Sequence, residues 1–280
     1  LPISTLRELI NAASMGKQLN RLGLDGQQEL LDILTLSAEA FLDRWFESAP
    51  IKALLGFDSI VGTYASPFDA GTAYVLLHHA FGEVNGKKGV WGHAIGGMGS
   101  VSEAIAKAAR AHGADIETGT EISEVLIERD RAAGISLKDG RVARAPVIAA
   151  NMTLKHLYTE LVAKDALSPA FSERIEHFKY GSGTFRMNVA LSELPEFECL
   201  PGADSGDHHG AGIIIAPSLD YMDRAYRDAR DHGWSSVPIV EMLIPSTIDP
   251  TLAPPGCHVA SLFCQHVAPA LPDGRSWDGA

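Results

Sequence analysis

A run of glycines ahead of a helical pattern is the feature of this sequence best suited to binding a ligand. Backbone without side chains lets a phosphate or a cofactor approach closely, and a helix start offers unpaired N–H groups. The run comes close to the G-x-G-x-x-G fingerprint, but Ser102 stands in the last place and no clear buried strand precedes it. A cofactor loop and a plain glycine turn before a helix both stay open on this motif alone. The residues concerned are Gly96, Gly97, Met98, Gly99 and Ser100.

The eleven histidines and three cysteines do not have the spacing of a metal site. Adjacent histidines such as His78 and His79 point roughly 100° apart on a helix and therefore diverge. His258 and His266 lie too far apart along a strand to share an ion. No serine stands in the G-x-S-x-G pattern of a nucleophile elbow. The sequence predicts neither a metal centre nor a serine hydrolase site, and it identifies no catalytic residue.

Four further side chains are candidates for lining a cavity. Arg186 and Asn188 occupy alternate positions of a predicted strand, so both face the same side of it. They form either a polar cavity wall or a solvated sheet face. Tyr74 lies in a helical, aromatic region that forms core or lines an apolar cavity, and Trp91 stands just before the glycine run.

Composition and charge exclude several classes of protein. A chain of 280 residues, 46% hydrophobic, is long enough for one large or two joined domains. The net charge of −12 disfavours binding to nucleic acid. Three cysteines are too few for a disulfide framework, which indicates a reducing compartment, and no stretch approaches the roughly 20 apolar residues of a membrane span. We expect a soluble protein of the cytoplasm, or of the mitochondrial matrix in a eukaryote, and leave a homo-oligomer open.

Apolar residues at helical spacing run from Ser4 to about Ile60, with breaks expected at Gly23, Gly26 and Pro50. The same spacing recurs in shorter segments farther along the chain, several of which begin near a serine or threonine. These predicted helices are Tyr74 to Leu77, Ser100 to His112, Leu154 to Ala163, Ser168 to His177 and Tyr221 to Asp231.

Short apolar or alternating segments predict strands, and Asp139-Gly140 predicts a hairpin turn between two of them. The segment from Pro146 to Ala150 is apolar enough to predict a buried strand. The four strands nearest the C-terminus are expected to form one open sheet. The predicted strands are Ile122 to Ile127, Gly134 to Leu137, Pro146 to Ala150, Phe185 to Leu191, Ile213 to Ile215, Ile239 to Ile244 and His258 to Gln265.

Two long motifs carry a family resemblance. The first runs from Gly89 to Ile105 and combines Gly-Val-Trp, Gly-Gly-Met-Gly and a helix. The second runs from Ile244 to His258 and includes Pro-Pro-Gly-Cys-His. The first resembles phytoene-dehydrogenase-like flavoproteins and, more distantly, monoamine oxidases. The second resembles one branch of them, the pyridine nucleotide-disulfide oxidoreductase domain-containing proteins, and the likeness covers nearly the whole chain.

The resemblance implies FAD as the cofactor of the whole protein. It places Glu121 and the Ile122 backbone near the adenine end of FAD, and Ala149, Ala150 and Asn151 on a returning strand and loop beside the cofactor. In such enzymes the flavin takes a hydride, while the protein orients the reactants and excludes water.

The resemblance also implies that the glycine run passes near the flavin ring and the substrate cavity. The residues assigned to that cavity are Trp91, Tyr74, Arg186 and Asn188. The partner expected in the cavity is a hydrophobic small molecule.

The expected fold is α/β or α+β, with part of an FAD-binding domain of the glutathione-reductase-like, amine-oxidase type. Residues 1–88 would form a helical cap, 89–155 the partial flavin-binding region and 156–280 a substrate domain with a mixed sheet. The family's main nucleotide fingerprint would precede Leu1, and its last glycine-rich segment would follow Ala280. The chain is therefore expected to be an internal piece that is inactive alone and retains FAD weakly or not at all.

The predicted activity of the whole protein is FAD-dependent dehydrogenation or oxidation of a hydrophobic small molecule. Two alternatives stay open. One is a protein-interaction module without redox turnover, which the missing nucleotide fingerprint and the acidic composition would suit. The other is a flavin amine oxidase.

Overall fold

The computed structural model describes residues 5–179, 183–202, 204–272 and 274–277. These residues form two compact units. One contains the chain up to residue 100 and again from 183 onward, and the other contains residues 101–179. The predicted domain limits after residues 88 and 155 stay predictions. Among the described residues, no helix is both long and apolar enough to cross a membrane.

The first unit begins with five helices. Thr5 caps the first of them through a reciprocal pair of hydrogen bonds with Glu8, and Ser37 caps the third by accepting from the Ala40 N–H. Gly23 separates the first two helices as predicted, whereas Gly26 lies inside the second and does not break it. Ser4, the predicted start of the helical pattern, lies outside the described residues. The helices are α1 (Leu6–Arg21), α2 (Gly23–Thr35), α3 (Ala38–Leu42), α4 (Ala49–Gly56) and α5 (Thr72–His78).

A short hairpin follows α5 and leads toward the glycine run. Its strands are β1 (Glu83–Val84) and β2 (Lys87–Lys88), and its turn is Asn85-Gly86, both with positive φ. Asn-Gly is the residue pair that a two-residue hairpin turn favours, so the sequence contains the signal for this hairpin.

A four-stranded sheet completes the first unit. Its strand order is β6-β9-β8-β7, and the predicted single open sheet is therefore confirmed. The expected mixed sheet, with both parallel and antiparallel pairs, is wrong. Each of the three neighbouring strand pairs is antiparallel. The strands are β6 (Thr184–Leu191), β7 (Ile213–Ile215), β8 (Trp234–Leu243) and β9 (His258–Val267).

Helix α9 (Leu219–His232) covers one face of this sheet and forms the core with it. Ser218 caps its start by accepting from the Tyr221 N–H, and Gly233, with φ +97°, ends it. Met222 and Ala225 on the helix and Ile239 on β8 are fully buried. They pack with apolar residues from α3, α4 and the short helix after it, namely Leu42, Ala53, Phe57 and Ile60.

The second unit begins within α6 (Met98–Ala111) and continues as a β meander. Strands β3 (Ile122–Glu128), β4 (Arg131–Leu137) and β5 (Val142–Arg144) pair in sequence order, and the predicted turn at Gly140, with φ +90°, is confirmed. Helices α7 (Leu154–His156), which runs on as a π-helical turn at Leu157–Leu161, and α8 (Pro169–Glu176) follow.

The predicted buried strand from Pro146 to Ala150 is wrong. The segment has no strand assignment, and Val147 is 77% exposed. A strand is defined by hydrogen bonds to a neighbour, and none of the described strands pairs with this segment. An apolar run alone does not show which neighbour it would pair with.

Candidate cofactor and substrate site

The glycine run forms a tight bend at the start of α6. Gly96 and Gly97 have φ of +84° and +78°, a backbone conformation that side chains other than glycine rarely adopt. The Gly97 carbonyl accepts from the Ser100 N–H at 3.1 Å and from the Ser100 hydroxyl at 2.7 Å. The left-handed backbone at Gly96 and Gly97 therefore requires glycine at these positions. The turn leads directly into a helix.

Asp249 holds this bend from the second sequence motif. Its buried carboxylate accepts from the Gly96 N–H at 2.7 Å and from the N–H and hydroxyl of Thr251 at 3.0 and 2.6 Å. His93 Nε2 lies 3.6 Å from the same carboxylate. Hydrogen bonds, first from Thr251 and then from Gly96, hold the pKa of Asp249 below its usual value. The two motifs that carry the family resemblance therefore meet in one contact.

The rest of the bend is accessible to a ligand. Met98 is 79% exposed, and a side chain added at Gly99 would meet no atom within 4 Å. The bend is thus fixed on one side by Asp249 and bare on the other. Side-chain-free backbone lets a planar group approach closely, and a helix start favours an anionic one.

The remaining predicted cofactor residues belong to the second unit. Ile122 begins β3 opposite Leu137, and the Glu121 carbonyl accepts from the Lys138 N–H at 2.9 Å. The Glu121 side chain is exposed and forms an ion pair with Lys138. Ala149, Ala150 and Asn151 are exposed and belong to no strand. Their assignment to FAD stays a prediction.

Tyr74 and Trp91 belong to one aromatic row. Tyr74 stacks on His78 with ring centroids 5.9 Å apart, and His79 stacks on Trp91 at 6.1 Å. The expected divergence of His78 and His79 is wrong: their ring centroids lie 4.1 Å apart, because both rings turn toward the Val75 carbonyl. A cavity of about 360 Å³ borders this row, between the histidines and the hairpin strand residue Val84. The structure thus brings two of the four predicted cavity residues into one neighbourhood.

Arg186 and Asn188 lie on the sheet, on the same face as predicted. Arg186 pairs with Phe263 and Asn188 with Ser261 in the antiparallel register. The Arg186 guanidinium lies 5.2 Å from the centre of the Phe263 ring and donates to the Ser261 hydroxyl at 3.1 Å. This face of the sheet is the one that carries buried Ile239.

Asp58 and Glu241, which no sequence pattern predicted, are two carboxyl groups that interact electrostatically with the aromatic row and with Arg186. Burial raises the pKa of Glu241; the nearby Asp58 carboxylate raises it further, and Arg186 lowers it. Burial also raises the pKa of Asp58, although its side chain reaches the surface, while His79 and His78 lower it. Glu241 interrupts the apolar run from Val237 to Ile244, and this interruption is the signal that could have identified it.

The opposite face of the sheet is apolar and largely uncovered. Phe185, Met187 and Ile215 are 50%, 43% and 47% exposed on it. The pairing register shows that the described residues on this face include no Lys, Arg, Asp or Glu. An exposed apolar surface of this kind marks a site for a ligand or a partner. Its other members are Val189, Leu191, Ile213, Val240, Met242, His258, Ala260, Leu262 and Cys264.

Comparison with known proteins relates this chain to one family of flavin-containing enzymes. Residues 5–185 match the family model described as flavin containing amine oxidoreductase. A rat protein, pyridine nucleotide-disulfide oxidoreductase domain-containing protein 2, is 37% identical over 99% of this chain, which covers 47% of the rat protein. A lycopene-forming phytoene desaturase from Pseudescherichia vulneris is 23% identical over 82% of this chain and 43% of its own length. The chain thus spans about half the length of these curated relatives.

The solved structures show the same fold. A crystal structure of an oxidoreductase from Methanosarcina mazei superposes on 90% of this chain and 54% of its own with a TM-score of 0.55. The two sequences are 20% identical, so the likeness concerns the fold alone. The predicted combination of helices and sheets is confirmed.

Proposed function

The chain belongs to the family of flavin containing amine oxidoreductases, and on that premise we propose that the whole protein dehydrogenates or oxidises a hydrophobic small molecule with FAD. Bound FAD would supply the chemistry by accepting a hydride. The residues of this chain would bind and orient the reactants and keep water away from them. The isolated chain is proposed to lack activity, because it spans only about half of its relatives.

The observation that carries this proposal is the glycine bend held by Asp249. The Gly96 N–H is tied to the carboxylate, and the bend beyond it is bare at Gly99. Rigid bare backbone is what an extended cofactor requires, since it lets the ring approach without displacing side chains. The charge-free sheet face supports the apolar nature of the substrate, because burying it against a charged molecule would leave that charge unpaired.

Glu241 lies on the sheet face that carries Arg186 and Ile239, opposite the charge-free face. Because the pKa values of Asp58 and Glu241 are raised, each carboxyl holds a proton to higher pH than an ordinary carboxyl does. Groups with shifted pKa values concentrate at functional sites.

The test is expression of the whole reading frame, followed by mixing with a panel of apolar alkenes and alcohols without oxygen. We expect a yellow protein whose flavin absorbance is bleached by at least one apolar compound. A protein that takes up no added FAD would overturn the proposal. Bleaching by amines alone would also overturn it.

A flavin amine oxidase is the second candidate, and the family model favours it through its description. Such an enzyme releases hydrogen peroxide when an amine is added under air. Peroxide release with amines and no flavin reduction by other apolar compounds would select this candidate. A whole protein that forms a stable complex with another protein but binds no flavin would instead select the interaction module.

A further inference from the structure

A second cavity lies at the end of the sheet, within the first unit. Its volume is about 710 Å³, inside the range of roughly 300–1,000 Å³ typical of small-molecule sites. It shares no lining residue with the glycine bend or with Asp249. Phe185 and Cys264, which pair across β6 and β9, line it and also belong to the charge-free sheet face. The cavity therefore adjoins the surface that we assign to the apolar substrate.

Three exposed aromatic side chains stand in the wall of this cavity, namely Phe185, Trp234 and Trp277. The two indoles meet edge to face, with ring centroids 6.4 Å apart and ring planes at 66°. The Trp277 indole N–H already donates to the Ala268 carbonyl at 3.2 Å, so this side chain offers a ligand its ring rather than a donor. Aromatic rings attract one another in edge-to-face and offset arrangements beyond what burial of area gives. The wall therefore favours an aromatic ligand over a saturated one of the same size.

The wall supplies no charge that could pair with a charged ligand. None of its described residues is Lys, Arg, Asp or Glu. Burial lowers the pKa of His266 to about 4, so this ring is neutral near pH 7, and its buried nitrogens offer a ligand no hydrogen bond. Arg275 lies outside the lining, with its guanidinium 5.9 Å from the centre of the Trp234 ring, and would repel a cation. A carboxylate in the cavity would lose its hydration without meeting an opposite charge in the wall.

We propose that this cavity binds an uncharged aromatic ring system. The ring would lie against Trp234 and Trp277 and shield Cys264 from solvent. In the whole protein it would be one part of the apolar substrate, and this second step alone rests on the proposed function. Binding to the cavity itself requires no flavin, so it can be measured separately.

Cys264 reports on occupation of the cavity in the chain as it stands. It is partly exposed in the wall, whereas Cys199 and Cys257 are exposed outside the lining. We would follow maleimide labelling of each cysteine by mass spectrometry with naphthalene, decalin, 2-naphthoate or 2-naphthylmethylammonium. Decalin is the saturated analogue of naphthalene, and the other two compounds add one negative or one positive charge. Cys199 and Cys257 serve as internal controls for direct effects on the reagent.

We expect naphthalene to slow labelling at Cys264 alone, and the other three compounds at equal concentration to leave it unchanged. Labelling of Cys264 that naphthalene does not slow, or that any of the other three slows equally, would overturn the proposal. Unprotected Cys264 would leave the flavin assignment intact, and a colourless whole protein would leave these labelling results intact, so the two failures are distinguishable.

A pair of substitutions tests the aromatic wall. Trp277→Ala removes one of its rings and should weaken protection by naphthalene roughly two- to tenfold. Trp45→Ala is the matched control, because Trp45 is an exposed tryptophan that does not line the cavity. The comparison of compounds uses the unmodified chain, so it decides the matter even if Trp277→Ala does not fold. Undiminished protection in Trp277→Ala, or equal weakening by both substitutions, would contradict the inference.

Discussion

Asp249 is the residue that joins the two halves of the candidate cofactor site. It lies 153 residues from Gly96, yet the Gly96 N–H and its carboxylate are in direct contact. A carboxylate with two acceptor oxygens is well suited to the task, since it takes the N–H of Gly96 on one oxygen and the two donors of Thr251 on the other. The conformation of the bend therefore depends on one side chain outside it.

Replacing Asp249 with asparagine should loosen the bend. The amide group of Asp249→Asn has only one acceptor oxygen, so at least one of the present donors would face its NH₂ group. We expect the Gly96 amide hydrogen to exchange with solvent about tenfold faster, as measured by NMR hydrogen exchange. Thr251→Val is the matched control, because it removes a hydroxyl donor and leaves the bond to Gly96 in place. Unchanged Gly96 exchange in Asp249→Asn would contradict the assigned role.

Acidification should act on the same contact. The pKa of Asp249 is held below its usual value, so the folded protein binds this proton less readily than the unfolded chain does. The stabilisation is therefore complete above the unfolded pKa and is lost as pH falls through the folded pKa.

Glu241 should show the opposite dependence on pH. Its pKa is raised, so the folded protein holds the proton more tightly, and stability falls as pH rises from the ordinary value of 4.5 through the folded pKa. Glu241→Gln removes this ionisation, and we expect its Tm to exceed that of the unmodified chain by about 1–3 °C at pH 7. The difference should vanish near pH ~4, where the carboxyl is protonated.

The exposed Glu124 supplies the control for this measurement. Glu124→Gln removes the same charge from the chain without removing a carboxyl from the Asp58 neighbourhood. Thermal unfolding at both pH values would then separate the local effect from the change in net charge. Equal Tm differences at the two pH values for Glu241→Gln would show that burial does not set its ionisation.

At the scale of elements, the bend before α6 requires glycine because of its backbone conformation, not because a side chain would lack room. Gly97 has φ of +78°, and the nearest atom to an added side chain is Leu252 Cδ2 at an ordinary 3.5 Å. Gly99, two residues later, is already helical and open on the side where a methyl group would point. The two glycines therefore have different reasons to be glycine.

This difference makes a matched pair of substitutions. Gly97→Ala should lower stability by about 1 kcal/mol, a Tm decrease of about 2–4 °C, because alanine must adopt a left-handed conformation. Gly99→Ala should leave stability unchanged or raise it by up to about 1 kcal/mol, since alanine favours a helix. Thermal unfolding measures both. A Gly99→Ala variant less stable than Gly97→Ala would show that the bend is not strained as described.

Periodic residue patterns in the sequence predicted helices and strands, because these depend on residues close together in the chain. Alternation identified β6, and helical spacing with a serine near its start identified α8. The segment from Pro146 to Ala150 was wrong because a strand needs a partner that its own residues cannot specify. The apolar residues of α1 and α2 fit the helical pattern, yet neither helix contains a buried residue.

The site was less predictable than the elements. Both motifs were recognised, but their contact through Asp249 and Gly96 was not, because residues so far apart meet only through the fold. Asp58 and Glu241 were missed for the same reason: their environment, rather than their residue type, raises their pKa values. Sequence patterns thus pointed to the two motifs, and the structure shows that they meet where the Gly96 N–H donates to Asp249.

At the scale of the whole molecule, the exposed apolar surface is the main unexplained property of the chain. It includes the sheet face with Phe185 and Met187 and the outer sides of α1 and α2, where Leu24 is 84% exposed. A surface of this kind becomes buried against a substrate, a further domain or another chain. We propose that the substrate covers the sheet face in the whole protein.

The central claim is that the bend held by Asp249 adjoins FAD in the whole protein. The most direct measurement is the amount of flavin, by absorbance, that remains bound per polypeptide after the whole protein and this chain are each purified in the presence of FAD. The account predicts stoichiometric flavin on the whole protein, much less on its Gly97→Ala variant, and little or none on the chain alone. A whole protein that folds but stays colourless would contradict it.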